Sequence, residues 1–302
     1  MDIPEPLRLR AKAAGADGEA WLAELPQMLA QLAAEWALRP GATLRGGTEA
    51  LVVEARMADG REAVLKLSPP FGDGISGELR ALNAAAGRGY ARLYRGDEGR
   101  GAMLLERLGG QLAESGLPLS EQLAALCEAL TQAWEVPPAD GLMNGAQKAA
   151  ALAAFVEEVW SALGRPCERS VVDLALRYAQ ARAEAFDPGA AVMAHGDAHA
   201  WNALQGPDGR SYKFVDPDGL FIEPAYDLGI SMREWTDELL AGDPLALGRE
   251  RCELLSRLTG VAPEPIWQWG FIERVSTGLL CLRLGLPGGR EMLAVAEAWA
   301  RA

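Results

Sequence analysis

The segment His195-Gly196-Asp197-Ala198-His199-Ala200-Trp201-Asn202 holds an acid, an amide five residues after it, and the only two histidines of the chain. Nineteen residues beyond Asp197 a second acid, Asp216, follows Tyr212-Lys213-Phe214-Val215 and opens Asp216-Pro217-Asp218-Gly219. This set suits phosphoryl transfer. One carboxylate orients an acceptor hydroxyl, while an Asn oxygen and a second carboxylate hold Mg²⁺ against nucleotide phosphates. Asp197 is the candidate for the first role, and Asn202 and Asp216 for the second. A carboxylate with a pKa near ~4 is too weak to deprotonate an alcohol beforehand, so its task is to align the hydroxyl and collect its proton late.

The same segment also has the form HxDxH, which raises a metallohydrolase alternative. Zinc sites need three or more protein ligands with supporting partners, and the chain offers no other His and no paired Cys. A further candidate is Lys66, one of only four lysines, inside the apolar run Ala63-Val64-Leu65-Lys66-Leu67. It could snorkel to water from a strand edge, but the expected role is phosphate contact.

These residues need elements to hold them. Residues 18–38 show helical spacing of Trp21, Leu22, Leu25, Met28, Leu29, Leu32 and Trp36, with Pro26 as a kink or break and Pro40-Gly41 as the end. The period then shortens. Strands are predicted over 42–46, 50–57 and 61–68, with Ala58-Asp59-Gly60 as a hairpin turn, and over 90–96 and 101–106. A short helix over 76–87 interrupts them. After Gly109-Gly110 the pattern is mainly helical: 119–134, 144–164, 170–186, 224–241, 244–259, 264–284 and 288–301. Residues 192–218 break it with short apolar pieces between polar loops. The organisation is α+β: residues 1–108 as a strand-rich lobe and residues 109–302 as a helical one.

Composition narrows the partners. The 302 residues carry 29 basic and 42 acidic side chains, net −13, which disfavours nucleic acid. Residues 111–302 hold 15 basic against 27 acidic residues, net −12, and could attract a cation. That charge opposes a nucleotide at long range, but screening over ~8 Å confines the effect. No run approaches the ~20 apolar residues of a membrane span, and the N-terminus lacks the apolar core of a secretion signal. Four scattered cysteines (Cys127, Cys167, Cys252, Cys281) are expected to be reduced, so the expected location is the cytoplasm.

Taken in order along the chain, these motifs resemble the protein-kinase-like antibiotic phosphotransferases. The HGD-then-Asn loop and the downstream Val215-Asp216-Pro217 strand carry the likeness. Ala63-Val64-Leu65-Lys66-Leu67 is similar to the family's third strand, and Gly77-Glu78-Leu79-Arg80-Ala81-Leu82 to the helix whose Glu pairs with that lysine. Ala102-Met103-Leu104-Leu105-Glu106-Arg107-Leu108 is similar to the hinge whose backbone, at Glu106 and Leu108, bonds adenine. Gly46-Gly47-Thr48 stands where a Gly-rich loop covers the phosphates, with Gly47 and Thr48 as contacts. Val215 to Gly219 followed by Glu223-Pro224-Ala225-Tyr226-Asp227-Leu228 is similar to one branch, the aminoglycoside/hydroxyurea antibiotic-resistance kinases.

The resemblance implies a two-lobed protein-kinase-like fold with a five-stranded antiparallel sheet and one inserted helix. It implies ATP, with GTP as the alternative donor, and Mg²⁺. His195 and Asp227 would brace the catalytic loop. Asp218 departs from the family, where a non-acidic residue is expected; it faces either the metal or solvent, and solvent is the expectation. The acceptor would be a small cationic molecule, best a streptomycin-like aminoglycoside. His199, Glu223, Glu234 and Asp237 are candidates to line its pocket, and Glu238 and Glu273 are further acids nearby. Trp201, Trp235, Trp267, Trp269 and Trp299 offer stacking faces but are expected mostly in the core. The alternatives are a housekeeping kinase of an amine-bearing alcohol or sugar, and a pseudokinase-like binding module. No nucleic acid or membrane partner is expected, and the chain is expected to act as a monomer or weak dimer.

Overall fold

The computed structural model describes residues 2–44, 50–71 and 74–301. The chain divides into two compact units, Met1–Gly109 and Gly110–Ala302. The first opens with helices α1 (Glu5–Ala13) and α2 (Ala16–Glu35). Then come β1 (Leu38–Thr43), β2 (Leu51–Met57), β3 (Glu62–Leu67), α3 (Ser76–Ala85), β4 (Leu93–Asp97) and β5 (Ala102–Glu106). The strands form one antiparallel sheet in the order β1-β2-β3-β5-β4. Side chains alternate across a pleated sheet. Leu51, Val53 and Ala55 of β2 and Ala63, Leu65 and Leu67 of β3 share one buried cluster with Trp21, Leu25 and Leu32 of α2. Val64 and Lys66 therefore project from the other face.

Three expectations change in this unit. The helix predicted over 18–38 ends at Glu35, and β1 begins at Leu38 and contains Pro40 and Gly41. Proline is tolerated there because β1 is an edge strand, paired with β2 alone, so a missing N–H need not cost a ladder bond. Helix α2 runs through Pro26 without a break. Helix α1 escapes the pattern because only Leu7 and Ala11 are buried among Arg8, Arg10 and Lys12.

The second unit holds α4 (Leu119–Trp134), β6 (Met143–Asn144), α5 (Gly145–Ala162), α6 (Arg169–Glu184), β7 (Val192–Ala194), β8 (Ala203–Gln205), β9 (Tyr212–Phe214) and β10 (Leu220–Ile222). Then follow α7 (Ala225–Arg233), α8 (Thr236–Leu240), α9 (Pro244–Thr259), α10 (Pro263–Leu284) and α11 (Gly289–Trp299). The short strands pair as β6-β10-β7 and β8-β9. Helix α10 is buried on all sides from Gln268 to Ser276, as a central helix must be. It crosses α7 where Gly229 and Gly270 meet. A Cβ on Gly229 would come within 2.7 Å of Trp269 Cβ, and one on Gly270 within 2.4 Å of Met232 Cβ. Among the described residues no helix is long and apolar enough to cross a membrane.

The single helix predicted over 224–241 is two. Glu234 is extended and Trp235 takes a left-handed conformation (φ +51°), which ends α7 and starts α8. Two buried arginines explain the break. Arg251 donates to the carbonyls of Glu234 (2.7 Å) and Ser231 (3.4 Å), and Arg274 to those of Met232 (2.7 Å) and Glu234 (3.3 Å). They satisfy the helix-end carbonyls that a continuing helix would have used, and place positive charge at the negative pole of α7.

Candidate active site

In the first unit Lys66 Nζ donates to both Glu78 oxygens, each at 2.8 Å, with the two side chains about one-tenth exposed. Glu78 lies in the first turn of α3, and the sheet face opposite the α2 core brings Lys66 to it. Glu106 ends β5; its N–H donates to the Arg92 carbonyl (2.8 Å) and its Oε2 accepts from the Arg92 N–H (3.1 Å). Leu108 is buried, and its carbonyl accepts from Arg107 Nη1 at 3.1 Å. Gly47 and Thr48 lie outside the described residues.

In the second unit the loop from β7 to β8 is fixed from behind by Asp227. This fully buried carboxylate accepts from the His195 N–H (3.0 Å) and Trp134 Nε1 (2.9 Å) on Oδ2, and from the Gly196 N–H (2.9 Å) on Oδ1. Burial pushes its pKa up, and the facing His195 and these donors oppose that. His195 is fully buried and edge-on to Phe214. Its Nδ1 accepts from the Asp197 N–H (3.0 Å) and its Nε2 meets the Val215 carbonyl (2.9 Å), the pattern of the Nε2–H tautomer. One ring thus ties the loop to the segment that delivers Asp216.

Further bonds join the three polar residues found in the sequence. Asn202 Nδ2 donates to the Asp197 carbonyl (3.1 Å), which turns Oδ1 away from that bond. The Val215 N–H donates to the Asn202 carbonyl (2.9 Å), and Asp216 follows, exposed and with φ +58°. A non-glycine residue at such φ carries backbone strain, and Asp tolerates it better than most. Gly196 has φ +93°, and a Cβ there would lie 2.7 Å from Asp218 Cβ, so only glycine suits this position. Among the described residues no three His, Cys, Asp or Glu side chains form a metal cage. Asn202 and Asp216 instead offer two hard oxygens, the donor type that a cation borne by phosphates and water takes. Both ring nitrogens of His195 are engaged inside the protein, so the HxDxH metallohydrolase alternative fails.

Asp197 is held at both oxygens. Arg233 Nη2 donates to Oδ1 at 2.7 Å, and His199 Nε2 lies 3.1 Å from Oδ2. Burial raises the carboxyl's pKa, but the His199 hydrogen bond and the Arg233 charge outweigh it and hold the group well below the carboxylate range. His199 Nδ1 is buried and has no partner among the described residues. Arg233 also reaches Glu234 Oε1 (2.9 Å) and Glu273 Oε2 (3.6 Å), and these carboxylates drive its pKa up against burial. Buried Glu273 accepts from Tyr226 Oη in turn. Sequence reasoning missed both Arg233 and Trp134. The available signal for Arg233 was its place as the one cation in α7, whose preceding residues 225–232 are all buried.

The residues expected to line an acceptor pocket divide. Glu223 is occupied, accepting from Trp269 Nε1 (2.9 Å) and Arg182 Nη1 (3.2 Å). Glu234 is paired with Arg233. Asp237 and Glu238 are exposed on α8. Asp218 is exposed, as expected, beside Gly196. Of the tryptophans, Trp269 and Trp299 are core, whereas Trp201 is 52% exposed next to Asn202.

A family model described as aminoglycoside/hydroxyurea antibiotic resistance kinase matches residues 35–284. A streptomycin 6-kinase of Streptomyces glaucescens is 30% identical over 275 residues, covering 89% of this chain and 88% of the relative. A hydroxyurea phosphotransferase of Kitasatospora aureofaciens is 32% identical over 281 residues, covering 89% and 80%. Among solved structures, a thermostable mutant of aminoglycoside phosphotransferase APH(4)-Ia in ternary complex with ADP and hygromycin B superposes with a TM-score of 0.61. It is 16% identical and covers 90% of this chain and 97% of that one. At that identity the likeness shows the fold, which is protein-kinase-like.

Proposed function

Because the chain belongs to the aminoglycoside/hydroxyurea antibiotic resistance kinase family, we propose that it transfers the γ-phosphoryl group of ATP to a hydroxyl of a small cationic antibiotic, best one of the streptomycin class. The observation that carries this reading is the linked set in the second unit. Asp227 braces His195 and Gly196, Asn202 bonds the Asp197 carbonyl, and the strand paired to Asn202 leads into Asp216.

Each residue then has a task. Lys66, held by Glu78, neutralises phosphate oxygens. The Leu108 N–H and the Glu106 backbone receive the purine, which suits ATP and leaves GTP as the alternative donor. Asn202 Oδ1 and Asp216 would hold Mg²⁺, which when bound supplies charge neutralisation at the phosphates. Asp197 accepts the hydrogen bond of the incoming hydroxyl and orients its oxygen. Held ionised by Arg233 and His199, it is a weak base, so it takes the proton only as the new O–P bond forms. An added phosphate gives the drug negative charge where it needs cationic complementarity. Four unpaired thiols and a nucleotide donor fit a cytoplasmic location.

The test is ATP consumption with streptomycin, other aminoglycosides, hydroxyurea and simple amino alcohols, with mass detection of an added phosphate. Turnover of an aminoglycoside, lost by orders of magnitude in Asp197→Ala while nucleotide binding persists, is expected. Turnover confined to amino alcohols would favour the housekeeping kinase. Nucleotide binding with no turnover of any acceptor would favour the binding module.

A further inference from the structure

Most acids around Asp197 already have a cation. Asp197, Glu234 and Glu273 share Arg233, and Glu223 has Arg182. Asp218 differs. Its backbone is fixed, the Asp218 N–H donating to the His195 carbonyl at 2.8 Å and the Gly219 N–H to the same oxygen at 3.3 Å. Its side chain stands on the bare face of Gly196, with Asp218 Oδ2 only 3.0 Å from where a Cβ on that glycine would be. That glycine directly precedes Asp197. The Asp218 carboxylate is exposed, accepts no hydrogen bond and has no ion pair within 4 Å among the described residues. Lys148 of α5 acts on it favourably from a distance, and Asp197 and Glu273 act unfavourably.

We infer that Asp218 is a specificity-determining residue that anchors a guanidinium or ammonium group of the acceptor while the acceptor's hydroxyl is presented to Asp197. The inference rests on the phosphotransferase reading above and names the contact that selects its cationic substrate. A cation bound at Asp218 relieves the repulsion between two carboxylates separated by one glycine. The carboxylate needs no rearrangement to receive it, because its backbone is already held on the catalytic loop. Such a pairing at an exposed carboxylate changes affinity by up to about fivefold. Lys148 sets the limit: it weakens the attraction, so a planar bidentate guanidinium should bind better than a simple amine.

The experiment compares wild type, Asp218→Asn and Asp218→Glu by calorimetry with streptomycin, which carries guanidinium groups, and by steady-state kinetics with streptomycin and with uncharged hydroxyurea. Asp218→Asn is expected to weaken streptomycin about three- to fivefold in Kd and KM and to leave the ATP KM and the Mg²⁺ requirement in place. Asp218→Glu should restore part of the loss. Any hydroxyurea turnover should not change. Unchanged streptomycin affinity in Asp218→Asn overturns the assignment, as does a raised Mg²⁺ requirement, which would make Asp218 part of the metal site. Failure of wild type to bind streptomycin overturns it too. Binding without turnover would count against the phosphotransferase reading while the calorimetric comparison still decides the role of Asp218.

Discussion

Arg233 at the end of α7 donates from Nη2 to Oδ1 of Asp197 at 2.7 Å, across 36 residues of sequence. The pair joins the loop that carries the candidate catalytic acid to the helix whose first turn carries its brace, Asp227. It also fixes the charge state of the acid. Asp197 has its pKa lowered on folding, so its pairing stabilises the folded chain above the unfolded carboxylate pKa of ~3.9 and fades as pH falls toward the lower folded value.

The first prediction follows from that sign. In wild type, Asp197 should not limit activity on the acid side until well below pH ~4. In Arg233→Gln one of the two influences that oppose burial is gone, so the carboxyl pKa rises from its wild-type position and the acid limb of kcat/KM moves to higher pH. The loss of orientation should also lower kcat by roughly ten- to a hundredfold. A pH–rate series on both proteins checks it. An unmoved limb would mean Arg233 serves the fold alone.

A second prediction concerns Gly196. Alanine there meets both a φ of +93° and a Cβ 2.7 Å from Asp218 Cβ. Gly196→Ala should lose about 1–3 kcal/mol of stability and most of its activity. Combining it with Asp218→Gly removes the steric part but not the backbone part. Thermal melts should therefore show partial, not full, recovery.

The motif residues were legible because their chemistry is local: Asp197, Asn202 and the glycine between His195 and Asp197 form one loop, and hydrogen bonds inside it set its shape. Lys66 was legible because alternation in β3 puts it opposite Ala63, Leu65 and Leu67. Arg233 and Trp134 were not, because each reaches its partner across dozens of residues by the packing of α4 and α7 on the loop. The break at Trp235 was hidden for the same reason. The carbonyls that end α7 are satisfied by Arg251 and Arg274, from α9 and α10, and nothing within 224–241 announces them. The pairing of Glu223 with Arg182 and of Glu234 with Arg233 was likewise hidden, because it appears only on folding.

The thiols give a third prediction. Burial pushes Cys127 and Cys252 up to about 12 and Cys167 to about 11, and raises half-buried Cys281 as well. A thiol with a pKa near 12 is only about one part in ten thousand thiolate at pH 8, and the thiolate is the reactive form. Native protein should react slowly with a thiol reagent such as Ellman's, and the denatured protein should release four equivalents quickly. Fast reaction of one thiol in the native state would contradict this packing.

The last prediction separates the Lys66–Glu78 pair from the acceptor chemistry. Both side chains are about one-tenth exposed, and removing one member of a buried pair leaves the other poorly compensated, at a cost of several kcal/mol when fully enclosed. Glu78→Gln keeps the volume and one acceptor oxygen, so it should cost less, about 1–2 kcal/mol. Its functional effect should fall on the nucleotide: without a fixed partner, Lys66 loses its orientation, and the apparent ATP KM rises about tenfold with the acceptor KM unchanged. Lys66→Ala should weaken ATP at least as much and lower kcat as well, since phosphate charge is then less neutralised in the transition state. Nucleotide titrations at fixed, saturating acceptor would show it. Equal ATP dependence in wild type and both variants would remove Lys66 from the phosphates and leave the pair a support of β3 and α3.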